Sequence, residues 1–163
     1  VTASGDTVNG YFYHGNQTQN QKECRYYKNE MDRKPTQIFK PEALKSWKVA
    51  DKLYRAINYS GGLLDKPIRF NLVTNDGPIC EYIFYNEDGS EPKTVFVKAH
   101  DAANNKPREL QYFGMGFAKR MAEYLADYPE LAKKVTEKEK GYGMLKILEI
   151  FQEYNTWYIS NKK

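Results

Sequence analysis

The sequence predicts an α+β fold, an antiparallel twisted sheet or incomplete barrel covered by C-terminal helices. Residues 6–99 alternate apolar and polar side chains in short runs separated by turn residues, which is the period of a β-strand. Residues 111–158 place their apolar side chains at helical spacing instead. Strands and helices do not alternate along the chain, which argues against a parallel nucleotide-binding sheet.

The first predicted strand has two unlike faces. Phe12 shares one face with Val8 and Gly10, and we expect this face to point to the core. Tyr11 and Tyr13 share the opposite face. The strand therefore predicts a pair of outward-facing tyrosine rings two residues apart.

Further elements of the β-rich part follow from the same alternation. Residues 1–5 are predicted to be disordered and residues 15–21 to form a polar loop, and Gly61-Gly62 is the strongest break in the front half. The other predicted strands cover residues 22–28, 36–39, 53–57, 68–73, 79–85 and 93–99. The last three are separated by turn residues and form a meander. Both faces of its middle strand are apolar, which favours a central, covered position.

Two helices are predicted in the first half of the helical part. The first spans about 111–126, but Gly114 and Gly116 each cost roughly 1 kcal/mol in a helix interior, which favours a start near Phe117. The second begins after Asp127, whose carboxylate can cap it, and runs to about residue 140.

The third predicted helix, about residues 143–157, is apolar over more than half of its circumference. A helix packed on a single layer needs only a narrow apolar stripe. We therefore expect this helix to contact both the sheet and the first helix. The alternative is that one face of residues 144–158 binds a partner chain and makes the protein a homo-oligomer.

Composition is typical of a globular chain. Of its 163 residues, 40% are hydrophobic and 28% are charged, and this length suffices for a single domain over 1–163. The most apolar segment, residues 144–151, is too short for a transmembrane segment and contains charges. The net charge of +4 arises from interleaved basic and acidic residues, so a nucleic-acid partner is not expected.

No catalytic, metal or cofactor site is predicted. His14 and His100 are the only histidines, and neither stands at metal spacing with another ligand residue. The common phosphate-loop, dinucleotide and nucleophile motifs do not occur in the sequence. Cys24 and Cys80 match no metal pattern, and we interpret them as buried thiols. In an exported protein they could instead form a single disulfide.

Tyrosine is the compositional outlier, with 14 residues in a chain that is 15% aromatic. Tyrosine suits half-exposed strand faces and interfaces, because the ring packs while the hydroxyl stays hydrated. Cross-strand packing is one interpretation, and a surface for a glycan or protein partner is the other. The candidate binding residues are Tyr11, Tyr13, Trp47 and Tyr54.

Residues 5–11, residues 39–46 with 53–56, and residues 124–132 with 138–142 and 154–155 together resemble uncharacterised exported proteins of Bacteroidetes-type bacteria. Gly5-Asp6-Thr7-Val8-Asn9-Gly10-Tyr11 resembles their GDT-hydrophobic-x-G opening. Residues 39–46 and 53–56 are similar to their Y-x-P-x-D-I turn and the strand after it. Residues 124–132 and 138–142, with the closing Tyr154-Asn155, are similar to their C-terminal helical signature. The resemblance implies export to the periplasm or cell surface after signal cleavage, and it implies no activity.

These observations favour a non-enzymatic binding or interaction module of the cell envelope, with an unknown protein or glycan partner. One alternative is an enzyme whose carboxylates and tyrosines are brought together only by the fold. Another is a structural subunit that self-associates through residues 144–158. A deep pocket with convergent ionisable groups would favour the enzyme, whereas an aromatic surface would favour binding.

Overall fold

The computed structural model describes residues 1–61, 68–102 and 104–161. Within these residues the protein is α+β, with two antiparallel sheets that do not close into a barrel and four α-helices. This confirms the predicted fold class. Gly62, the second residue of the predicted glycine break, lies outside the described residues.

Most predicted strands are present. The strands of the described residues are β1 (Tyr11–Tyr13), β2 (Cys24–Tyr27), β3 (Gln37–Phe39), β4 (Ser46–Val49), β5 (Lys52–Ile57), β6 (Arg69–Asn75), β7 (Cys80–Phe84), β8 (Lys93–Val97) and β9 (Arg108–Glu109). One sheet has the order β1-β2-β3 and the other the order β4-β5-β6-β7-β8-β9. The predicted meander is confirmed as β6, β7 and β8. The short β9 pairs with β8.

The helices are α1 (Gln17–Lys22), α2 (Phe117–Tyr124), α3 (Pro129–Thr136) and α4 (Ile147–Asn161), with 3-10 turns at Leu110–Phe113 and Met144–Lys146. Helix α2 begins at the later of its two predicted starts, directly after Gly116 at φ 71°. Helix α4 begins at Ile147 rather than near residue 143, because the preceding residues form the 3-10 turn. The prediction that Asp127 caps α3 is wrong, since Tyr128 holds the cap position and no side chain caps the helix.

The chain divides into two compact units. The N-terminal unit comprises Val1–Thr74 and Tyr82–Thr94, and the C-terminal unit comprises Asn75–Glu81 and Val95–Lys163. The expectation that residues 1–163 form a single domain stays a prediction.

Aromatic stacking forms the core of the N-terminal unit. Trp47 of β4 lies parallel to Tyr54 of β5 with 4.4 Å between ring centroids, and Phe70 of β6 meets the indole edge-on at 6.2 Å. Cys24 and Phe39 extend this core beneath the three-stranded sheet. Offset and edge-on aromatic pairs of this kind add to the free energy gained from burying the rings.

Both cysteines are buried thiols, which confirms their interpretation from the sequence. Burial raises the pKa of the Cys24 thiol to about 12. A thiol with so high a pKa is protonated at neutral pH and behaves as a small apolar side chain.

Residues 1–5 are ordered, so the prediction of a disordered lead is wrong. Thr2 forms an antiparallel bridge with Leu44, and the Ala3 amide donates to the Ala43 carbonyl at 2.9 Å. The segment is thus held by main-chain hydrogen bonds, which a polar composition alone does not reveal.

The predicted loop at 15–21 contains helix α1. Asn16 caps it, since its Oδ1 accepts from the Gln19 amide at 2.8 Å. Asn20 and Gln21 are buried, and their amides bond to protein groups instead of water. A cap followed by amide residues is the local signal for this helix, but the segment carries no apolar stripe.

Helix α4 lies at the centre of the core of the C-terminal unit. Phe151 packs on Phe96 of β8 with 4.8 Å between ring centroids, and on Phe113 at 5.7 Å. It also contacts Tyr124 of α2 at 5.8 Å. These contacts confirm that the last helix packs on both a strand and the first predicted helix.

Candidate functional site

The outer face of the three-stranded sheet is lined with tyrosines. Opposite residues in an antiparallel pair share a face, and β1 and β2 pair Tyr11 with Tyr27. Tyr13 stands two residues from Tyr11 and so shares this face. Tyr11 and Tyr13 retain 50% and 52% of their exposure, whereas Phe12 packs against the core. The structure therefore places the two predicted binding tyrosines side by side at the surface.

This tyrosine face borders a groove of about 700 Å³. Its remaining wall comes from the loop between β2 and β3 and from the turn between β4 and β5. We call it the tyrosine groove and define it by Tyr11, Tyr13, Tyr27, Glu30, Asp32, Arg33 and Lys48. A groove of this volume is in the range of small-molecule binding sites.

Gly10, which also lines the groove, lets β1 approach β2 closely. A Cβ atom at this position would lie 2.3 Å from Cε2 of Tyr26 and 3.0 Å from the Tyr27 carbonyl oxygen. The Tyr26 ring is itself packed against Phe12, with 5.7 Å between centroids. Glycine at this position therefore helps to fix the strand that presents the two tyrosines.

The charged side chains of the tyrosine groove balance one another. Glu30 and Asp32 are acidic, whereas Arg33 and Lys48 are basic. Asp32 accepts a hydrogen bond from the Asn29 amide at 3.0 Å. Among the described residues, no group forms a hydrogen bond or an ion pair with the side chain of Glu30, Arg33 or Lys48. The groove thus offers both donors and acceptors to a ligand.

Trp47 and Tyr54, the other two predicted binding residues, are core side chains with 3% and 0% exposure. The structure corrects the expectation that their rings are exposed for contact, because their strand faces turn inward. Trp47 also lines a smaller cavity of about 250 Å³ that shares Asn9, Phe12 and Lys48 with the tyrosine groove.

The Tyr54 hydroxyl is held in a buried polar group with His14. The His14 Nε2 atom lies 2.9 Å from the hydroxyl, which also bonds to Gln17 Oε1 at 3.3 Å. Burial lowers the pKa of His14, and the charge of Lys52 lowers it further. The neutral imidazole is favoured, so this histidine is a structural partner of Tyr54.

A second constellation lies in the C-terminal unit. We call it the charged cluster and define it by Lys98, His100, Asp101, Asp127 and Tyr154. Lys98 Nζ lies 2.6 Å from Asp127 Oδ1 and 3.0 Å from Asp101 Oδ2. The Tyr154 hydroxyl donates to Asp127 Oδ2 at 2.6 Å and lies 2.9 Å from His100 Nε2. Convergent ionisable groups of this kind are the pattern that would favour an enzyme.

The geometry of Lys98 gives this lysine a structural role. Its side chain is fully buried, and its third acceptor is the Tyr124 carbonyl at 2.9 Å. An ammonium group has three protons to donate, so two carboxylates and one carbonyl satisfy it completely. A lysine in this state has no proton directed at a substrate. A buried ion pair with satisfied hydrogen bonds is what a core charge requires.

Burial and the neighbouring groups of the charged cluster together shift the pKa values of Asp127, Tyr154 and His100. Burial raises the pKa of Asp127, but the hydrogen bonds from Lys98 and Tyr154 outweigh it and hold the pKa below its ordinary value. Burial and the Asp127 carboxylate raise the pKa of Tyr154, so its hydroxyl stays protonated. Burial and the charge of Lys98 lower the pKa of His100. These directions favour ionised Asp127 beside neutral His100 and Tyr154.

One sequence signal for the charged cluster was available. Lys98 directly follows the buried run of β8, where a charged side chain must find a partner. The identity of its partners could not be read in the same way, because Asp127 and Tyr154 are distant in sequence. Nothing in the sequence distinguishes the charged residues of the tyrosine groove from those of an ordinary polar turn.

Across residues 1–61, 68–102 and 104–161, no three histidine, cysteine, aspartate or glutamate side chains converge in a way that could hold a metal ion. None of the helices in the same part of the chain has the length and apolar character needed to cross a membrane.

The chain was compared with family models, curated proteins and solved structures, and none of them matches it. The tyrosine groove and the charged cluster are therefore the features from which a function can be inferred.

Proposed function

We propose that this chain is a non-enzymatic binding module of the cell envelope, and that the tyrosine groove is its ligand-binding surface. One observation carries the proposal: Tyr11 and Tyr13, half exposed on one strand face, line a groove with balanced charge. Exposed tyrosines in a groove supply contact area at low entropic cost and combine an apolar ring with a polar hydroxyl. The groove is held by the sheet, so its binding geometry is largely preformed.

The charged cluster supports binding over catalysis. A catalytic acid, base or nucleophile must reach a substrate atom within hydrogen-bond distance. Lys98 is fully buried and donates to three protein acceptors, and the Tyr154 hydroxyl is bonded to Asp127. We therefore treat these groups as stabilising the fold of the C-terminal unit.

The envelope location in this proposal rests on the resemblance of the three sequence segments to exported proteins. Fractionation of the source cell tests it with an antibody against the chain. We expect the protein in the periplasmic or surface fraction. Recovery with cytoplasmic markers would contradict the location while leaving the tyrosine groove as a binding surface.

The binding function is tested with the double substitution Tyr11→Ala and Tyr13→Ala. The tagged protein is incubated with immobilised envelope material, and the retained fraction is measured. We expect wild-type protein to be retained and the double variant to lose at least tenfold in apparent affinity. Because both rings are half exposed, the variant should keep its circular dichroism spectrum and melting transition.

Two control variants separate the groove from its surroundings. Met31→Ala alters an exposed side chain in the same loop as Glu30 and Asp32, and Ile38→Ala alters an exposed side chain on the same sheet. Neither residue lines the groove. Both controls should bind like wild type. Equal retention of the double variant and wild type would refute the groove as the binding surface.

A further inference from the structure

We infer that the tyrosine groove binds a neutral saccharide chain of at least two sugar units. This inference rests on the binding function proposed above and adds the chemical class of the ligand. It is carried by the spacing of the rings, the balance of charge and the mixture of hydrogen-bond donors and acceptors in the groove.

The rings set the shape of the ligand. Tyr11 and Tyr13 are two residues apart on β1, so their Cα atoms are about 6.6–6.8 Å apart. A ligand that contacts both rings must be extended along the strand. The face of a sugar ring carries C–H groups that pack on an aromatic ring, while its hydroxyls remain at the edges, where the tyrosine hydroxyls also lie. Two neighbouring sugar units therefore match two neighbouring tyrosines.

The charged residues set the polarity of the ligand. Glu30 and Asp32 accept hydrogen bonds, whereas Arg33 and Lys48 donate them. A sugar hydroxyl both donates and accepts, so it can satisfy either kind of group. The two acidic and two basic side chains also cancel in charge, which suits a ligand without net charge.

Two other ligand classes fit less well. A proline-rich peptide docks on aromatic grooves, but its prolines have carbonyl acceptors and no N–H donors for Glu30 and Asp32. A polyphosphate or nucleic acid would place anions beside the same two carboxylates, at a cost in repulsion. The observations favour the saccharide, and the other classes become outcomes of the test.

The test uses envelope material of the source cell in three forms: untreated, oxidised with mild periodate, and digested with protease. Periodate cleaves vicinal diols and so destroys most sugar rings, whereas protease removes polypeptide. Retention of wild type, of the Tyr11→Ala/Tyr13→Ala variant and of the Met31→Ala control is measured on each form, at low and at high salt.

We expect periodate to reduce wild-type retention at least tenfold and protease to leave it within twofold. High salt should leave it within twofold as well, because a neutral ligand releases few counterions. Loss after protease with survival after periodate would overturn the saccharide and favour a protein partner. Loss in high salt would overturn it in favour of an anionic ligand. If untreated material retains neither wild type nor control, the binding function itself fails.

Discussion

Asn155 satisfies both main-chain polar groups of Ile79 with one side chain. The Ile79 amide donates to Asn155 Oδ1 at 2.7 Å, and Asn155 Nδ2 donates to the Ile79 carbonyl at 2.9 Å. Helix α4 thereby replaces a β-strand partner for the residue that precedes β7. Gly77 makes room for this contact, since a Cβ there would lie 2.6 Å from Asn155 Nδ2. The buried amide is thus a specific tie between sequence positions 76 residues apart.

Asn155→Ala should destabilise the protein by about 2–5 kcal/mol, because two buried main-chain groups lose their partners. Asn155→Asp should be at least as harmful, since a carboxylate oxygen would then face the Ile79 carbonyl. Urea denaturation measures both effects. Gln152→Ala, at an exposed position of the same helix, is the control and should change little. If the free energy of unfolding of Asn155→Ala lies within about 0.5 kcal/mol of wild type, the level of a neutral surface change, the two hydrogen bonds to Ile79 do not stabilise the fold.

Lys98→Met should cost about 3–5 kcal/mol, because removing one member of a buried ion pair leaves the carboxylates without their cation. Adding Asp127→Asn in the Lys98→Met background should recover part of this loss, since it removes the charge that lost its partner. A double-mutant cycle by urea denaturation measures the coupling between the two side chains. The exposed Lys119→Met is the matched control. Additive effects of the two substitutions would show that Lys98 and Asp127 do not stabilise each other.

Stability should fall as the pH drops below about 6.5, the ordinary pKa of histidine. Burial and Lys98 lower the pKa of folded His100, against the opposing effects of Asp127, Asp101 and the Pro78 carbonyl. Just below pH 6.5 the unfolded state therefore binds more protons than the folded state. The contribution of His100 to stability is fully present above this pH and is lost as the pH falls towards the pKa of the folded state. The pKa of His14 is lowered as well and acts in the same direction.

The measurement is the free energy of unfolding from urea titrations between about pH 5 and pH 7.5. His100→Gln and His14→Gln should each make its pH dependence shallower in this range, and the double variant should flatten most of it. A wild-type stability that rises as the pH falls through this window would mean that the folded histidines have raised pKa values.

The prediction of self-association through residues 144–158 now depends on two leucines. Leu145 is 97% exposed and Leu148 is 48% exposed, whereas Ile147 and Ile150 are buried within the C-terminal unit. Any dimer formed by this segment should therefore lose stability in a Leu145→Glu/Leu148→Glu variant. Light scattering at high concentration measures the mass of both proteins. A wild-type monomer would argue against self-association, and a dimer unaffected by the substitutions would place its interface elsewhere.

The sequence predicted elements well where local period and packing agree. The strands β6 to β8 alternate cleanly, and Phe117 follows two glycines that resist helix formation, so these elements were predicted close to their observed bounds. The outward tyrosines of β1 followed from the same alternation. In each case, the pattern of neighbouring side chains was sufficient to predict the element.

The sequence did not predict the contacts in which side-chain amides or charged groups, instead of neighbouring strands, satisfy polar groups. Gln21 binds both main-chain groups of Tyr85, at 2.8 Å and 2.5 Å, as Asn155 does for Ile79. Such contacts join positions far apart in the sequence, so a polar residue that appears solvated is in fact buried. Asp127 fits a helix cap locally, but the buried charge of Lys98 holds it instead. The prediction that the Trp47 ring is exposed was wrong for a related reason, because the sequence of a short strand does not reveal which face turns inward.

Amide chemical-shift mapping checks the claim that ligand binds at the tyrosine groove. Labelled protein is titrated with soluble fragments released from envelope material, and each shift change is assigned to a residue. We predict that the largest changes lie at Tyr11–Tyr13, Tyr27 and the turn after Lys48, with little change around Lys98. Shift changes centred on the charged cluster, with none along β1, would contradict the claim.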